Sequence, residues 1–153
     1  MAITASGLYV VTFLDVFDAT QLAFAYLADT MKMALFTDTV APNFSSDTAY
    51  GVAPYNANET SGGSWAAGGY TLASKTITEG VTGSMVFDAA DVSQATCTVT
   101  SAMGGLIYDD TLAGDQAVCL VDFVTAVSTV NGTLTITFTA PGSGGVFNFD
   151  LTP

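Results

Sequence analysis

The chain has 153 residues, half of them apolar, with two lysines, no arginine or histidine, and fourteen acids, for a net charge of −12. That length sets one domain with a real core, and the apolar content excludes intrinsic disorder. The cation deficit excludes nucleic acid, anionic membrane surfaces and phosphorylated substrates as direct partners, since each needs positive charge to meet phosphate.

Taken in order, the start "MAITASGLYVV" lacks the basic opening of an export signal. Residues 8–27 are as long as a membrane span, but Asp15, Asp18 and Gln21 interrupt them, so no membrane crossing is expected. Residues 1–30 instead read as an apolar N-terminal segment. Phe13, Val16, Phe17, Leu22 and Tyr26 share a stripe at helical spacing, with a break near Asp18. Asp18-Ala-Thr20 offers an N-cap for a second short helix ending near Asp29. The sheet-favouring Tyr, Val and Thr of "GLYVVTFL" leave a strand as the alternative there.

From Met31 the period becomes two. "KMALFT" reads as a strand with Met31, Met33 and Leu35 on one face. Residues 38–70, rich in Pro, Gly, Ser and Asn, read as a long surface loop holding at most a small helix or hairpin. Strand candidates follow at 70–78, 84–89, 95–102, 105–110, 117–123, 132–138 and 145–151. Asn131-Gly132 reads as a hairpin turn between "VTAVSTV" and "TLTITF". In "GTLTITF" threonines alternate with Leu134, Ile136 and Phe138, which gives one buried and one wet face. The pattern predicts a single all-β domain, an antiparallel sandwich or barrel of about seven or eight short strands, preceded by a short helical segment.

The inventory for chemistry is short. Without histidine there is no Ser-His-Asp or Cys-His arrangement and no imidazole ligand. A glycosidase needs only two carboxylates, but most of the acids, among them Asp38, Asp47, Asp88, Asp91, Asp109, Asp110 and Asp115, stand beside turns, where Asp ordinarily bonds the local backbone. "DDTLAGD", residues 109–115, lacks the spacing and distal Glu of an EF-hand loop, and reads as a solvated hairpin tip. "SGGSWAAGGY" lacks the lysine and following helix of a phosphate loop. Trp65 and Tyr70, with Tyr50 and Tyr55 upstream, are aromatics on a polar loop. They suit a protein interface or a sugar ring, or else fold back to cap the core. Cys97 and Cys119 fit no zinc pattern and read as reduced, buried small hydrophobes. No enzyme activity, metal or cofactor is expected.

Several fragments resemble, in order, a family of small structural proteins of tailed-bacteriophage particles: "DTMKMALFTD" (29–38), "NETSGGSWAAGGYTLASKTIT" (58–78), "MVFDAADVSQATCTVTSAMGGLIYDDTLAGDQAVCLVDF" (85–123) and, in outline, residues 131–151. Lys-x-Ala-Leu-Phe, Asp-Ala-x-Asp-Val, a Tyr-Asp-Asp tip, an Asp-Phe pair and Asn-Gly-Thr carry the likeness. The chain departs from it over residues 88–94, where the family pattern Asp-Ala-Asp-Asp-Val-x-Trp is replaced by Asp88-Ala-Ala-Asp91-Val-Ser-Gln94 without the tryptophan, and over the first 28 residues. The resemblance implies a capsid decoration or cement protein on the outer surface of the virion, made in the bacterial cytoplasm and bound to the major capsid protein. A receptor- or glycan-binding module of a tail fibre or spike is the alternative.

The low charge, the long loop and the apolar N-terminus predict a homo-oligomer, by preference a trimer. Tyr9, Phe13, Phe17 and Phe24 are expected to include contacts with a neighbouring subunit, with Trp65 as a second anchor. Asp109, Asp110 and Asp115 are expected to face solvent.

Overall fold

The computed structural model describes residues 2–18, 22–80 and 83–151. In chain order its elements are β1 (Gly7–Leu8), α1 (Val10–Phe17), β2 (Met31–Thr37), β3 (Tyr70–Thr71), β4 (Thr76–Glu79), β5 (Ser84–Asp88), β6 (Val92–Asp109), β7 (Gln116–Ile136), a 3-10 turn (Pro141–Ser143) and β8 (Phe147–Asp150). They make two antiparallel sheets, one of five strands ordered β1-β7-β6-β2-β3 and one of three ordered β4-β5-β8. The all-β expectation holds.

The five-stranded sheet is covered on both faces. Met31, Met33, Leu35, Ile107 and Val118 point into one apolar cluster with Phe87 and Phe147 of the smaller sheet. Ala34, Phe36, Leu106, Tyr108 and Leu120 point the other way, into a second cluster with Ile3, Tyr9, Val40 and Tyr55. The alternation in "KMALFT" therefore separates two dry faces, and the cover on the second face is the N-terminal segment together with the long loop. Burial on both sides is what turns "MALF" into a continuous apolar run.

Strand lengths differ from the sequence reading. The candidates at 95–102 and 105–110 join as β6, and those at 117–123 and 132–138 join through "VTAVSTV" as β7. Gly104 and Gly105 read as a break, yet they sit mid-strand where backbones crowd. A Cβ on Gly105 would lie 2.7 Å from the Met33 side chain, and one on Gly104 would lie 2.7 Å from the Val121 carbonyl oxygen. Asn131-Gly132 is not a hairpin turn. Asn131 has φ of 48°, its N–H donates to Thr98 Oγ1 at 3.1 Å, and β7 runs on to pair Leu134 with Gln94. A left-handed residue serves a bulge as well as a turn, and here it makes a bulge.

Two other readings are corrected. "YTLASKTIT" is two strands, because the chain passes from the larger sheet at β3 to the smaller at β4 through Ser74, at φ of 50°. The first N-terminal helix forms over residues 10–17, but residues 22–29 are coil and turn; the proposed cap at Thr20 lies outside the described residues. The strand alternative survives only at Gly7–Leu8, paired with β7.

Candidate functional site

Helix α1 is held from one side. Thr12 is buried and its hydroxyl donates to the Ala117 carbonyl. Just before the helix, the Tyr9 N–H donates to Val118 O, and its hydroxyl is hydrogen-bonded to that of Tyr55. Burial first, and then the Tyr55 contact, pushes the Tyr9 phenol upward, so both rings stay neutral. At the helix end the Asp18 N–H closes on Leu14 O at 2.9 Å. These bonds leave an apolar side facing out: Val10 is 48% exposed, Leu14 62% and Phe17 75%. An eight-residue helix with six large apolar side chains cannot bury them all against one sheet.

Around Phe13 the overflow becomes an aromatic cluster. Its ring meets Phe149 edge-on at 5.0 Å between centroids, Phe147 at 6.2 Å and Phe24 at 6.4 Å. Phe87 stacks on Phe147 at 4.5 Å, and Phe17 reaches Phe149 at 6.5 Å. Beside this cluster runs an open groove of about 400 Å³, walled by Phe13, Val16 and Phe17 on the helix, residues 24–28 on the following turn, and Ile77, Met85, Phe87 and Phe149 on the smaller sheet. A shallower hollow of about 320 Å³ lies across Phe13, Phe17 and Phe149, reaching Leu8, Val10 and Leu14. The two hollows and the exposed ridge of Phe17 and Leu14 form one apolar face, the kind of surface that marks an interaction site. What such a face offers a partner is shape and desolvation.

The structure thus brings Phe13, Phe17 and Phe24 of the expected anchors together and separates the other two. Tyr9 is fully buried beneath the long loop and makes no outward surface. Trp65 is fully buried as well, stacked on Tyr70 at 5.8 Å. Two glycines permit this: a Cβ at Gly62 or Gly63 would lie 2.3 or 2.1 Å from the carbonyl oxygens of Thr98 or Thr96, so the loop lies directly on β6. Tyr55 is buried and Tyr50 stacks on Tyr108 at 4.5 Å, which makes the loop aromatics a cap on the core. Phe149, Leu14, Val10 and Leu27 were missed as members of the face. The signal for Phe149 was the alternation in "VFNFD", which places both of its phenylalanines on one side of a strand.

The acidic tip also differs from expectation. It is the turn of the long β6–β7 hairpin, but Asp109 is wholly buried there. Its Oδ1 accepts the N–H groups of Thr111 at 2.9 Å and Leu112 at 3.3 Å, an Asx turn made inside the fold. Burial, opposed by those two bonds and helped by nearby Asp29, holds its carboxyl up to about 6. Asp110 is half-buried and pairs with Lys32 at 2.8 Å, while Asp115 is half-exposed. The other lysine, Lys75, donates to the Asp29 carbonyl and lies 5.8 Å from the Tyr26 ring centre. Both cations are thereby engaged within the chain.

Both cysteines are buried, Cys97 opposite Gly132 and Cys119 opposite Ile107, so they stand ten residues apart along the β6–β7 ladder, 97 against 107. Burial raises the Cys119 thiol to about 12. Among the described residues no three His, Cys, Asp or Glu side chains come together to hold a metal ion, and no helix is long and apolar enough to cross a membrane. No family model, curated protein or solved structure matches the chain.

Proposed function

We propose that the chain is a non-enzymatic structural protein of a bacteriophage particle, seated on the outer surface of the major capsid shell and docked through the α1 face. The observation that carries this reading is the contiguous apolar surface of Val10, Leu14, Phe17 and Leu27 around an aromatic groove. A Thr-, Ser- and Gly-rich sandwich with an acidic charge and one greasy face is suited to hold a neighbour, and the sequence resemblance supplies the neighbour's identity. The fibre or spike alternative rested on Trp65 and the loop tyrosines as outward stacking platforms, and Trp65 and Tyr55 are buried. A carboxylate-only hydrolase would need substrate to reach a carboxyl pair, and the raised carboxyl of Asp109 has no exposed surface.

The test is binding to heads that lack this protein. Leu14→Ala with Phe17→Ala should weaken binding at least about tenfold, since each truncated anchor is typically worth 1–2 kcal/mol or more. Val124→Ala, at an exposed position of β7 that lines neither hollow, should not. Particles should carry hundreds of copies. Wild-type affinity in the double variant, or a handful of copies per particle, would overturn the proposal.

A further inference from the structure

Among the described residues two buried carboxylate oxygens lack a partner, Asp88 Oδ1 and Asp109 Oδ2, and only Asp109 is a wholly buried residue. Asp109 Oδ1 is bonded twice, but Oδ2 is fully buried and finds no donor among the described residues. Beside it stands a second carboxyl, that of Asp29, which helps to raise the Asp109 carboxyl and whose neighbour Thr30 is bonded to the tip through Thr111 Oγ1 and the Asp110 N–H. Asp29 is half-exposed, and its Oδ2 accepts the Ala25 N–H at 2.6 Å, while its own N–H donates to Ala25 O at 2.8 Å. Asp29 therefore closes the turn that carries Phe24, Tyr26 and Leu27, one wall of the apolar groove. Two neighbouring carboxyls, one of them dry, make a repulsive pair when both are ionised and a strong hydrogen bond when one proton lies between them.

We propose that Asp29 and Asp109 share one proton, and that this bond is a clasp which fastens the groove wall to the β6–β7 hairpin tip and opens when the proton leaves. The surrounding charges do not remove the conflict. Asp110 on the tip is neutralised by Lys32 from β2, and Asp115 across the tip adds negative charge. Lys75, from the crossing between β3 and β4, binds the Asp29 carbonyl and leaves its carboxylate alone. The remaining links across the seam are neutral: the Thr30 N–H donates to Thr111 Oγ1 at 2.7 Å, and the Asp110 N–H donates to Thr30 O at 2.9 Å. These keep the strands joined while the turn at 24–29 loosens. With the clasp open, the half-exposed Asp29 turns to water and releases Ala25.

The sign follows from the direction of the shift. Asp109 is raised from 3.8 to about 6 by burial and then by Asp29, so the folded chain holds a proton the unfolded chain has lost. The clasp is complete below about pH 4 and is lost as pH rises through 6. The inference concerns the intact protein and does not depend on what occupies the groove.

The test is a carboxyl carbon-13 NMR titration of the full chain, with urea unfolding of wild type and Asp109→Asn from pH 4 to 8. The Asp109 side-chain carboxyl should titrate near pH 6, and amides 24–29 should lose exchange protection above it. Wild type should become easier to unfold by up to about a hundredfold more than Asp109→Asn across that range, because asparagine keeps both Oδ1 bonds and donates permanently to Asp29. Repulsion among the other acids affects both proteins alike and cancels in the comparison. Titration of the Asp109 carboxyl below pH 4.5, parallel stability curves, or tightening of the turn by added Ca2+ at pH 7.5 would overturn the proton clasp. The titration uses wild type alone, so the proposal stays refutable if the variant fails to fold.

Discussion

Trp65→Ala removes a fully buried indole from the seam where the long loop lies on β6. There Gly62 and Trp65 exchange backbone bonds at 2.7 and 3.2 Å, and the Thr98 N–H donates to Gly62 O at 3.0 Å. A tryptophan of this kind hides about 200 Å² of mostly apolar surface, which at about 25 cal/mol per Å² is about 5 kcal/mol. Against that stands Nε1, buried without an acceptor among the described residues, whose desolvation costs about 1–3 kcal/mol and disappears with the ring. The expected net loss is about 3 kcal/mol, at the low end for large aromatic truncations. Trp65→Phe should cost less, since it keeps a ring against Tyr70 and removes the orphan donor. Phe17→Ala should cost under about 1 kcal/mol, because only a quarter of that side chain is hidden. Urea unfolding followed by far-ultraviolet circular dichroism measures all three; fluorescence would lose its probe, since Trp65 is the single tryptophan. A Trp65→Ala protein as stable as wild type but impaired in head binding would refute the placement of the loop and restore Trp65 as a surface anchor.

Three further outcomes are expected. Gly69→Ala should lower stability by about 2 kcal/mol or more in thermal melts, since φ is +79° and the new Cβ would meet Met33 O at 1.9 Å; Gly142→Ala, which meets nothing within 4 Å, is the neutral control. Both cysteines should resist alkylation until the chain is unfolded and then react fully, and Cys119→Ala should cost about 1–2 kcal/mol through lost packing; an intact mass about two daltons low under non-reducing conditions would contradict this, since a bridge needs Cα atoms within about 7 Å. Lys32→Met should cost under about 1 kcal/mol at low salt and nothing measurable in concentrated salt, because its partner Asp110 is partly exposed at 32%.

Period-two patterning was enough to identify β2, β5 and β8, because alternate apolar side chains of each share a face, as Met31, Met33 and Leu35 do in β2, Met85 and Phe87 in β5, and Phe147 and Phe149 in β8. It was not enough to find the ends of β6 and β7. Glycine and asparagine carry the same local message, freedom at positive φ or room for close approach, whether they end a strand or bend it. Only the partner across the ladder decides, as Gln94 does for Leu134. The same ambiguity hid the role of "SGGSWAAGGY", whose glycines let a loop press flat on a strand and thereby bury the tryptophan between them. Asp109 was misread for a related reason. An Asx turn looks alike in water and in a core, and its burial depends on a distant segment around Asp29 and Thr30, with the Thr30 N–H on Thr111 Oγ1 and the Asp110 N–H on Thr30 O. The apolar excess of residues 10–17 was legible as a stripe too rich for one partner, but which side chains overflow depends on Thr12 facing inward, a polar residue that the hydrophobic pattern alone would turn outward.

The exposed aromatic face and the charge of −12 are connected. A face carrying Phe17 at 75% exposure would draw copies of the chain together if nothing opposed it. Two copies each carrying twelve net negative charges repel at the range of a Debye length, about 10 Å at moderate salt, before their apolar faces can touch. Both lysines are engaged internally, so neither softens that repulsion at the surface. That repulsion opposes self-association through the face, and would favour a partner that presents less negative charge. Raising the ionic strength removes the guard without altering the groove. Association of free copies should therefore increase with salt, as sedimentation at micromolar concentration would register, and Phe17→Ala should abolish the increase. Self-association that weakens with salt would mean that charge pairs, and not the apolar face, join the copies.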